Sequence, residues 1–213
     1  MKIGLLLGAA VLALGLPSST LTASEPAVEI EAGYHYLTGA RRSAQAVFGS
    51  AGGLTLGAGA RLGLGKRWFV RAGARYFARS GERVFVADPS AEVFRLGHPL
   101  SVRIVPIMAT LGCRFPTRAR ATPYAGLGGG LTVYRERSLV GGLSETERLT
   151  RPSGHVLAGL ELGRGRLRGG AELCYSIVPG AIGVGGVSAV YREKDIGGLS
   201  LLARFIVTQA TRK

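Results

Sequence analysis

Apolar and polar residues alternate with a period of two along most of this chain. In residues 54–65 (LTLGAGARLGLG), leucine and alanine occupy every second position, and threonine, glycine and arginine lie between them. Successive side chains of a β-strand point to opposite faces, whereas an amphipathic helix repeats about every 3.6 residues. Residues 68–80 then place Arg71, Arg75 and Arg79 on one face of a second strand. The pattern predicts two strands joined by a tight turn at 65–67.

Six further segments show the same alternation, at residues 28–37, 100–115, 124–134, 155–163, 167–178 and 199–207. The eight predicted strands have roughly nine to fourteen residues each. Long connections at 39–50, 80–99, 138–153 and 180–195 alternate with short ones at 65–67, 116–122 and 163–166. Because Pro106 has no N–H to donate to a strand ladder, we expect a bulge or register shift there.

This alternation of short and long connections is typical of a bacterial outer-membrane barrel. We therefore predict an all-β fold: an eight-stranded antiparallel up-and-down transmembrane β-barrel with short periplasmic turns and longer extracellular loops. A tilted strand of about 9–11 residues crosses the membrane core, and the predicted strands are long enough. The expected location is the cell outer membrane of a Gram-negative bacterium.

A soluble ligand-binding barrel is the alternative, because it would place the apolar face inside and the polar face in water. The polar face, however, has many glycines and few lysines for a solvated exterior, and small residues suit a narrow barrel interior. Aromatic residues also stand near the ends of the apolar face, as in the girdle of a membrane barrel. They are Tyr34, Tyr36, Trp68, Tyr76, Tyr175 and Phe205.

The arginines of the polar face would point into the barrel, because an arginine at the midplane of the lipid-facing surface costs about 2–4 kcal/mol. The charged residues predicted to face the lumen are Glu29, Glu31, Arg61, Arg71, Arg75, Arg79, Arg114, Glu136, Glu161, Arg168, Glu172 and Arg204. Buried charges require partners, so we expect an ion-pair network. It would be a plug that fixes the register or, alternatively, the gate of a narrow anion-preferring pore. The plug is favoured because an eight-stranded barrel is just wide enough for its own side chains.

Composition and charge narrow the function classes. The 34 glycines among 213 residues argue against an all-helical protein, because each costs a helix about 1 kcal/mol relative to alanine. The net charge is +14, but the basic residues form no continuous run and no nucleic-acid motif, so no nucleic-acid partner is predicted.

Residues 1–23 combine a lysine, a short apolar run and small residues, as a cleaved signal peptide does. The barrel domain would then be residues 24–213.

Candidate catalytic chemistry is sparse. Ser153, His155 and Glu161 are the residue types of a serine-hydrolase triad. However, His155 and Glu161 are predicted on the inner face, whereas a lipid-processing site would face the bilayer. The histidines are scattered and no metal-ligand spacing occurs, so we expect no catalytic residue, metal or cofactor. Cys113 is predicted to point outward and Cys174 inward, which excludes a disulfide between them.

Residues 105–134 (VPIMATLGCRFPTRARATPYAGLGGGLTVY) contain a proline-led apolar strand that ends in an aromatic residue, a short turn and a Pro-Tyr-x-Gly-x-Gly-x-Gly stretch. This segment resembles the bacterial outer membrane protein beta-barrel domain family, the small eight-stranded barrels of the OmpA/OmpX type. Residues 191–205 (YREKDIGGLSLLARF) resemble the last loop and last strand of that family. The resemblance spans residues 27–207 and implies the fold but no shared activity. Such barrels usually end on an aromatic residue, whereas this sequence continues for eight residues beyond Phe205.

These features predict a non-enzymatic, monomeric, integral outer-membrane protein with a charged, largely plugged lumen and a structural or surface-binding role. The outer-membrane assembly machinery and outer-membrane lipid are the expected partners. Basic loop residues would contact lipopolysaccharide phosphates: Arg41, Arg42, Arg83, Arg95, Arg148, Arg151, Arg192 and Lys194. The alternative is a small gated porin-like channel; a lipid A-modifying barrel enzyme is less favoured.

Overall fold

The computed structural model describes residues 23–208, apart from residues 89, 91, 118, 119 and 164. Its elements in chain order are β1 (Ala23–Tyr36), α1 (Arg41–Phe48), β2 (Gly52–Leu64), β3 (Trp68–Val86), β4 (Val93–Arg114), β5 (Ala121–Val140), β6 (Leu143–Leu162), β7 (Leu167–Ile177), α2 (Gly186–Val190) and β8 (Leu199–Thr208). Residues 1–22 of the expected signal peptide and residues 209–213 lie outside the described residues.

The eight strands form one closed barrel in which each strand pairs antiparallel with its neighbours in the sequence. The ring closes between β1 and β8, where Val28 pairs with Val207 and Tyr36 with Leu199. The tight turn predicted at 65–67 lies between β2 and β3. The prediction of an all-β, eight-stranded antiparallel up-and-down barrel is confirmed.

The apolar face of the strands is the outer surface of the barrel. Leu54, Leu127 and Leu201 are 79%, 65% and 62% exposed, whereas the intervening polar residues, such as Arg61 and Thr132, are buried inside. A soluble barrel would have the opposite arrangement. The period of two therefore predicted correctly which residues face the interior.

Two of the four predicted long loops are strands instead. The segments at 80–99 and 138–153 lie mostly in two hairpins that continue beyond the rest of the barrel. The β5–β6 ladder keeps one register up to Val140 and Leu143, and it closes through Gly141 and Gly142, both at positive φ. A two-glycine turn of this kind matches the twist of a hairpin. The strands have 10 to 22 residues. The predicted lengths of roughly nine to fourteen residues were therefore too short for β3 to β6, which have 19 to 22.

The expected register shift at Pro106 was wrong. Along β4, Pro106 pairs with Thr132 of β5 in an unbroken ladder, and the register against β3 is the same on both sides of the proline. The proline only lacks a donor, and the intact ladder with β5 holds β4 in place. The shift in this hairpin lies instead between Glu82 and Val84, opposite a stretch that contains Gly97 at φ 71°.

The two helices lie at the end of the barrel that carries the long hairpins, and we call this end the mouth. α1 falls within the predicted loop at 39–50 and ends at Gly49, which has a left-handed φ of 75°. The carboxylate of Glu193 accepts hydrogen bonds from the backbone N–H groups of Arg42 (2.8 Å) and Ser43 (2.9 Å) at the start of α1. Neither described helix has the length and apolar character to span a membrane.

An apolar cluster joins α1 and the 178–196 segment to the inner face of the barrel at the mouth. Its buried members are Leu37, Ala40, Ala44, Ala51, Phe77, Leu100, Val102, Ile104, Tyr134, Val178, Ala181 and Ile196. A second, smaller cluster of Phe69, Tyr124, Leu157 and Cys174 lies deeper inside. The interior is therefore apolar at the mouth and charged below it.

Candidate functional site

Glu172 of β7 is the centre of the charged interior, and only 1% of its surface is exposed. Arg71 binds it with both terminal nitrogens, at 2.8 and 3.1 Å. Arg75 and Arg204 each donate one further hydrogen bond, at 3.0 and 2.9 Å. The hydroxyl of Tyr124 donates to the same carboxylate at 2.9 Å. Three arginines and one tyrosine thus satisfy one buried carboxylate.

A second group of pairs continues from this centre toward the short-turn end. Arg204 also binds Glu29, and Arg61 joins Glu29 (Nε to Oε1, 3.1 Å) to Glu161. Glu161 in turn accepts a hydrogen bond from Arg168 at 3.3 Å. Toward the mouth, Arg75 binds Glu31 at 2.5 Å. The pairs form one continuous network along the inside of the barrel.

Ten of the twelve predicted lumen residues belong to this network, with Arg114 as its most distant member at 4.0 Å from Glu161. Arg79 and Glu136 do not. Arg79 donates to the carbonyl oxygen of Phe48 and to Ser50, while Glu136 accepts from the hydroxyl of Tyr134. Both lie on the inner face near the mouth, where residues of the 39–51 connection and the apolar cluster replace charged partners.

The network contains six arginines and four glutamates, so it carries two more positive than negative charges. Aromatic faces lie against the arginines: the guanidinium carbons of Arg61 and Arg114 are 5.4 and 5.5 Å from the ring centre of Phe69. Arg204 lies 5.6 Å from the ring centre of Tyr124. The negative face of an aromatic ring attracts a cation at these distances. The excess positive charge is thereby partly compensated.

Glycines on the inner face make room for these long side chains. A β-carbon on Gly57 would lie 2.6 Å from Oε1 of Glu31, and a β-carbon on Gly159 would overlap the ring of Tyr124. Such contacts are closer than van der Waals packing allows. The glycines of the polar face thus leave room for bulky side chains on the neighbouring strands, such as Glu31 beside Gly57 and Tyr124 beside Gly159.

The candidate hydrolase residues are engaged elsewhere. His155 forms its hydrogen bond with Thr110 (2.8 Å), not with Ser153. Glu161 is bound by Arg61 and Arg168. A nucleophile needs a base within hydrogen-bond reach, and this geometry does not provide one. Within the described part of the chain, no three side chains are grouped as metal ligands.

The two cysteines are free thiols. Cys174 is buried inside the barrel, and Cys113 is partly exposed opposite Trp68 on the outer surface. Their positions on opposite faces agree with the prediction from the alternation.

A cavity of about 540 Å³ lies at the mouth, between α1, the 180–188 segment and the extended hairpins. Its wall combines apolar residues such as Val102 and Leu149 with the carboxylates of Glu136 and Glu147, which are cross-strand partners. Below it, two interior cavities measure only about 30 and 20 Å³, which is room for about one water molecule each. The mouth is open, and the interior beneath it is nearly filled.

Sequence reasoning missed three features of this region. It did not include Tyr124 in the network, although the alternation placed this residue on the inner face, because only charged side chains were considered. It did not predict α1, whose eight residues are too few for a periodic signal. It also did not predict the mouth cavity, which depends on segments distant in sequence.

The sequence matches no protein-family model and no curated protein. The structure is similar to that of Neisserial surface protein A (NspA), with a TM-score of 0.58 and 16% identity over 88% of this chain and 99% of that chain. Ail of Yersinia pestis gives a TM-score of 0.44 at 12% identity, covering 87% of this chain and 99% of Ail. The N-terminal β-barrel domain of Pseudomonas aeruginosa OprF gives a TM-score of 0.45 at 10% identity, covering 88% of this chain and 100% of that domain.

At these identities the likeness concerns the fold alone, and of these three structures NspA is the one similar enough to support an argument. NspA is an eight-stranded outer-membrane barrel. The resemblance stated from residues 105–134 and 191–205 is confirmed at this level: the chain has the fold of the small eight-stranded outer-membrane barrels.

Proposed function

We propose that this chain is an integral β-barrel of the Gram-negative outer membrane, with a closed lumen and a non-enzymatic, structural or surface-binding role. The likeness of the fold to NspA supports the membrane placement. So does the outer surface, where large apolar side chains such as Leu54, Ile107 and Leu131 are more than half exposed. A continuous apolar surface of this extent is unfavourable in water and favourable in lipid.

The observation that carries the proposal is the network around Glu172, which crosses the lumen. Arg71 and Arg75 reach Glu172 from β3, while Arg204 reaches it from β8. A conducting path would require these buried pairs to separate, and breaking one such pair costs about 3–5 kcal/mol. The barrel therefore acts as a plugged scaffold rather than as a pore.

The surface-binding part of the proposal rests on the mouth. The cavity there is open at one end and nearly closed beneath, so a ligand would be retained and not transported. Apolar walls with a few polar groups are typical of sites for small amphipathic molecules.

The experiment that tests this function has two steps. The membrane-fraction protein is first compared unheated and boiled by gel electrophoresis, and a mobility shift is expected for a detergent-resistant barrel. The folded protein is then placed in planar bilayers, where we expect no single-channel conductance over a range of pH and voltage. Steady conductance that changes in Arg71→Gln or Arg75→Gln would replace the plug with the gated-channel alternative.

The absence of catalysis has its own test. Cells that overproduce the protein are expected to contain lipid A of unchanged mass. Lipid A that loses or gains an acyl chain would contradict the non-enzymatic role. A Ser153→Ala variant then shows whether that hydroxyl takes part, since it has no hydrogen-bond partner among the described residues.

A further inference from the structure

We propose that four arginines on the outer surface of β4–β6 form a binding site for the phosphate groups of lipid A in the outer leaflet. They are Arg103, Arg135, Arg137 and Arg148, and we call them the arginine row. The inference rests on the proposed membrane placement and adds a lipid partner to it. Only Arg148 was among the basic residues expected to contact lipopolysaccharide.

The arginine row is defined by strand pairing. Arg135 of β5 pairs directly with Arg103 of β4 on one side and with Arg148 of β6 on the other. Side chains of directly opposite residues lie about 4.5–5.5 Å apart at their β-carbons, and like charges at these positions are destabilising. Three guanidinium groups side by side thus create a local concentration of positive charge that an anion would relieve.

Neighbouring carboxylates do not neutralise the arginine row. All four side chains are exposed, and none forms an ion pair among the residues that the structure describes. Glu82 pairs with Arg95 at 3.3 Å, and Glu145 with Arg83 at 3.0 Å. Glu136 and Glu147, which adjoin Arg135 and Arg148 in the sequence, are cross-strand partners that point to the inner face and line the mouth cavity. By contrast, the six arginines of the interior network have carboxylate partners. The positive charge of the row is therefore available to a ligand.

The depth of the arginine row also indicates a lipid headgroup. Along β5, the outward positions run from Leu127 and Leu131 through Val133 to Arg135, so the arginine is the first charge after the apolar part of the strand. Along β4, read toward the mouth, the outward positions run from Ile107 through Val105 to Arg103. In the proposed membrane placement, this is the level at which the hydrocarbon of the outer leaflet would end and the phosphates of lipid A would begin. A guanidinium there can keep its apolar stem toward the lipid and its charge at the headgroup.

The surface around the arginine row has a shape that suits a phosphate. Ser101, Arg103, Arg135 and Arg137 enclose a surface cavity of about 130 Å³. Arg137 is also oriented by a hydrogen bond from its Nε to the hydroxyl of Ser144, at 2.9 Å. Arginine binds phosphate oxygens in pairs, and its planar shape gives stronger recognition than a lysine ammonium group. Two or three guanidinium groups around one cavity can hold a phosphate monoester.

The outward strand positions on the other side of the barrel are apolar or aromatic near the mouth. On the opposite side, the outward end of β1 carries Tyr34, whose cross-strand partners are Leu54 and Leu201. All three are exposed apolar or aromatic residues. Among the outward strand positions, the arginine row is therefore a localised site and not part of a ring of charge.

The test measures lipid A affinity by titration calorimetry in zwitterionic detergent micelles. The double variant Arg103→Gln/Arg135→Gln is expected to bind diphosphorylated lipid A at least tenfold more weakly than the unmodified protein. The matched control Lys66→Gln/Arg67→Gln removes the same charge from exposed positions of the short turn between β2 and β3, at the other end of the barrel, and should stay within about twofold. Equal weakening in both variants, or in neither, would overturn the site.

Two ligand controls separate the possible sources of phosphate. Dephosphorylated lipid A should bind the unmodified protein no more tightly than it binds the double variant. Inorganic phosphate, titrated alone, should bind far more weakly than lipid A, because the acyl chains contribute by contacting the apolar surface beside the site. If inorganic phosphate bound as tightly as lipid A, the ligand would be a free anion and the lipid assignment would fail.

Folding is checked in the same samples. A heat-dependent mobility shift retained by both double variants shows that the barrel is intact, so a loss of affinity would come from the site. If the unmodified protein gave no such shift and were soluble, the membrane proposal itself would fail. An intact membrane barrel whose lipid A affinity is unchanged in the double variant would overturn only the arginine row.

Discussion

Arg75 joins two carboxylates inside the barrel: its Nε lies 2.5 Å from Glu31 on β1, and its Nη2 lies 3.0 Å from Glu172 on β7. These strands are not neighbours of β3, which carries Arg75. The arginine therefore links parts of the ring that no backbone hydrogen bond connects. Such links across the lumen would hold the eight strands in one register and keep the interior filled.

Removal of the central acid should destabilise the barrel strongly. In Glu172→Gln, three buried guanidinium groups lose their shared carboxylate, and an uncompensated buried charge costs about 3–5 kcal/mol. Urea unfolding in lipid vesicles, followed by the loss of the gel-mobility shift, measures the change in unfolding free energy.

Glu136→Gln is the matched control for that measurement. Glu136 is also an inward-facing carboxylate, but its partner is the hydroxyl of Tyr134 and it is outside the network. We expect it to change the unfolding free energy by about 1 kcal/mol or less. Similar losses in both variants would mean that the network has no special role in stability.

The close approach of Gly159 to the ring of Tyr124 gives a second prediction. In Gly159→Ala, the new methyl group would overlap the ring of Tyr124 and lie 2.6 Å from the carbonyl oxygen of Ala171. Overpacking of this kind costs about 1–3 kcal/mol. Gly154→Ala on the same strand is the control, because the nearest atom to its β-carbon is 3.6 Å away. If the two variants unfolded at the same urea concentration, the interior would be looser than the structure indicates.

The faces of the strands were predictable from sequence, but the partners within the barrel were not. The period of two is a local property, so it placed Arg61 and Glu161 correctly on the inner face. Their ion pair joins β2 to β6, residues one hundred positions apart, and depends on how far each strand is shifted against the next. The sequence pattern contains no direct signal of that cumulative shift.

The mouth was the least predictable region for a related reason. Toward the mouth, beyond the apolar part of the outer surface, β5 and β6 continue with polar residues on their outer face. The alternation of apolar and polar residues is therefore lost there, although the strand pairing continues to Ser138 and Glu145. The Gly141–Gly142 pair was the available signal for that hairpin. No local signal links Glu193 to α1, because the two are separated by about 150 residues.

That distant contact gives a third prediction, on the stability of α1. Glu193→Ala removes the acceptor for the N–H groups of Arg42 and Ser43, and loss of a helix N-terminal cap costs about 1 kcal/mol. Trypsin should then cleave after Arg41 and Arg42 about fivefold faster, while the heat-dependent mobility of the barrel stays unchanged. In Glu147→Ala, which removes an exposed carboxylate of the mouth cavity, the cleavage rate should match that of the unmodified protein. Equal cleavage rates in both variants would show that Glu193 does not stabilise α1.

The two thiols give a fourth prediction, which tests the assignment of the two faces directly. Cys113 is partly exposed on the outer surface, whereas Cys174 is 1% exposed among the interior residues. A lipid-soluble maleimide should therefore label Cys113 in the folded barrel and reach Cys174 only when the barrel opens. In Cys113→Ser, labelling of the remaining thiol should follow the rate of global unfolding and increase in Glu172→Gln, which weakens the surrounding network. Rapid labelling of Cys174 in a barrel that keeps its mobility shift would contradict both the inward orientation of this side chain and the closed lumen.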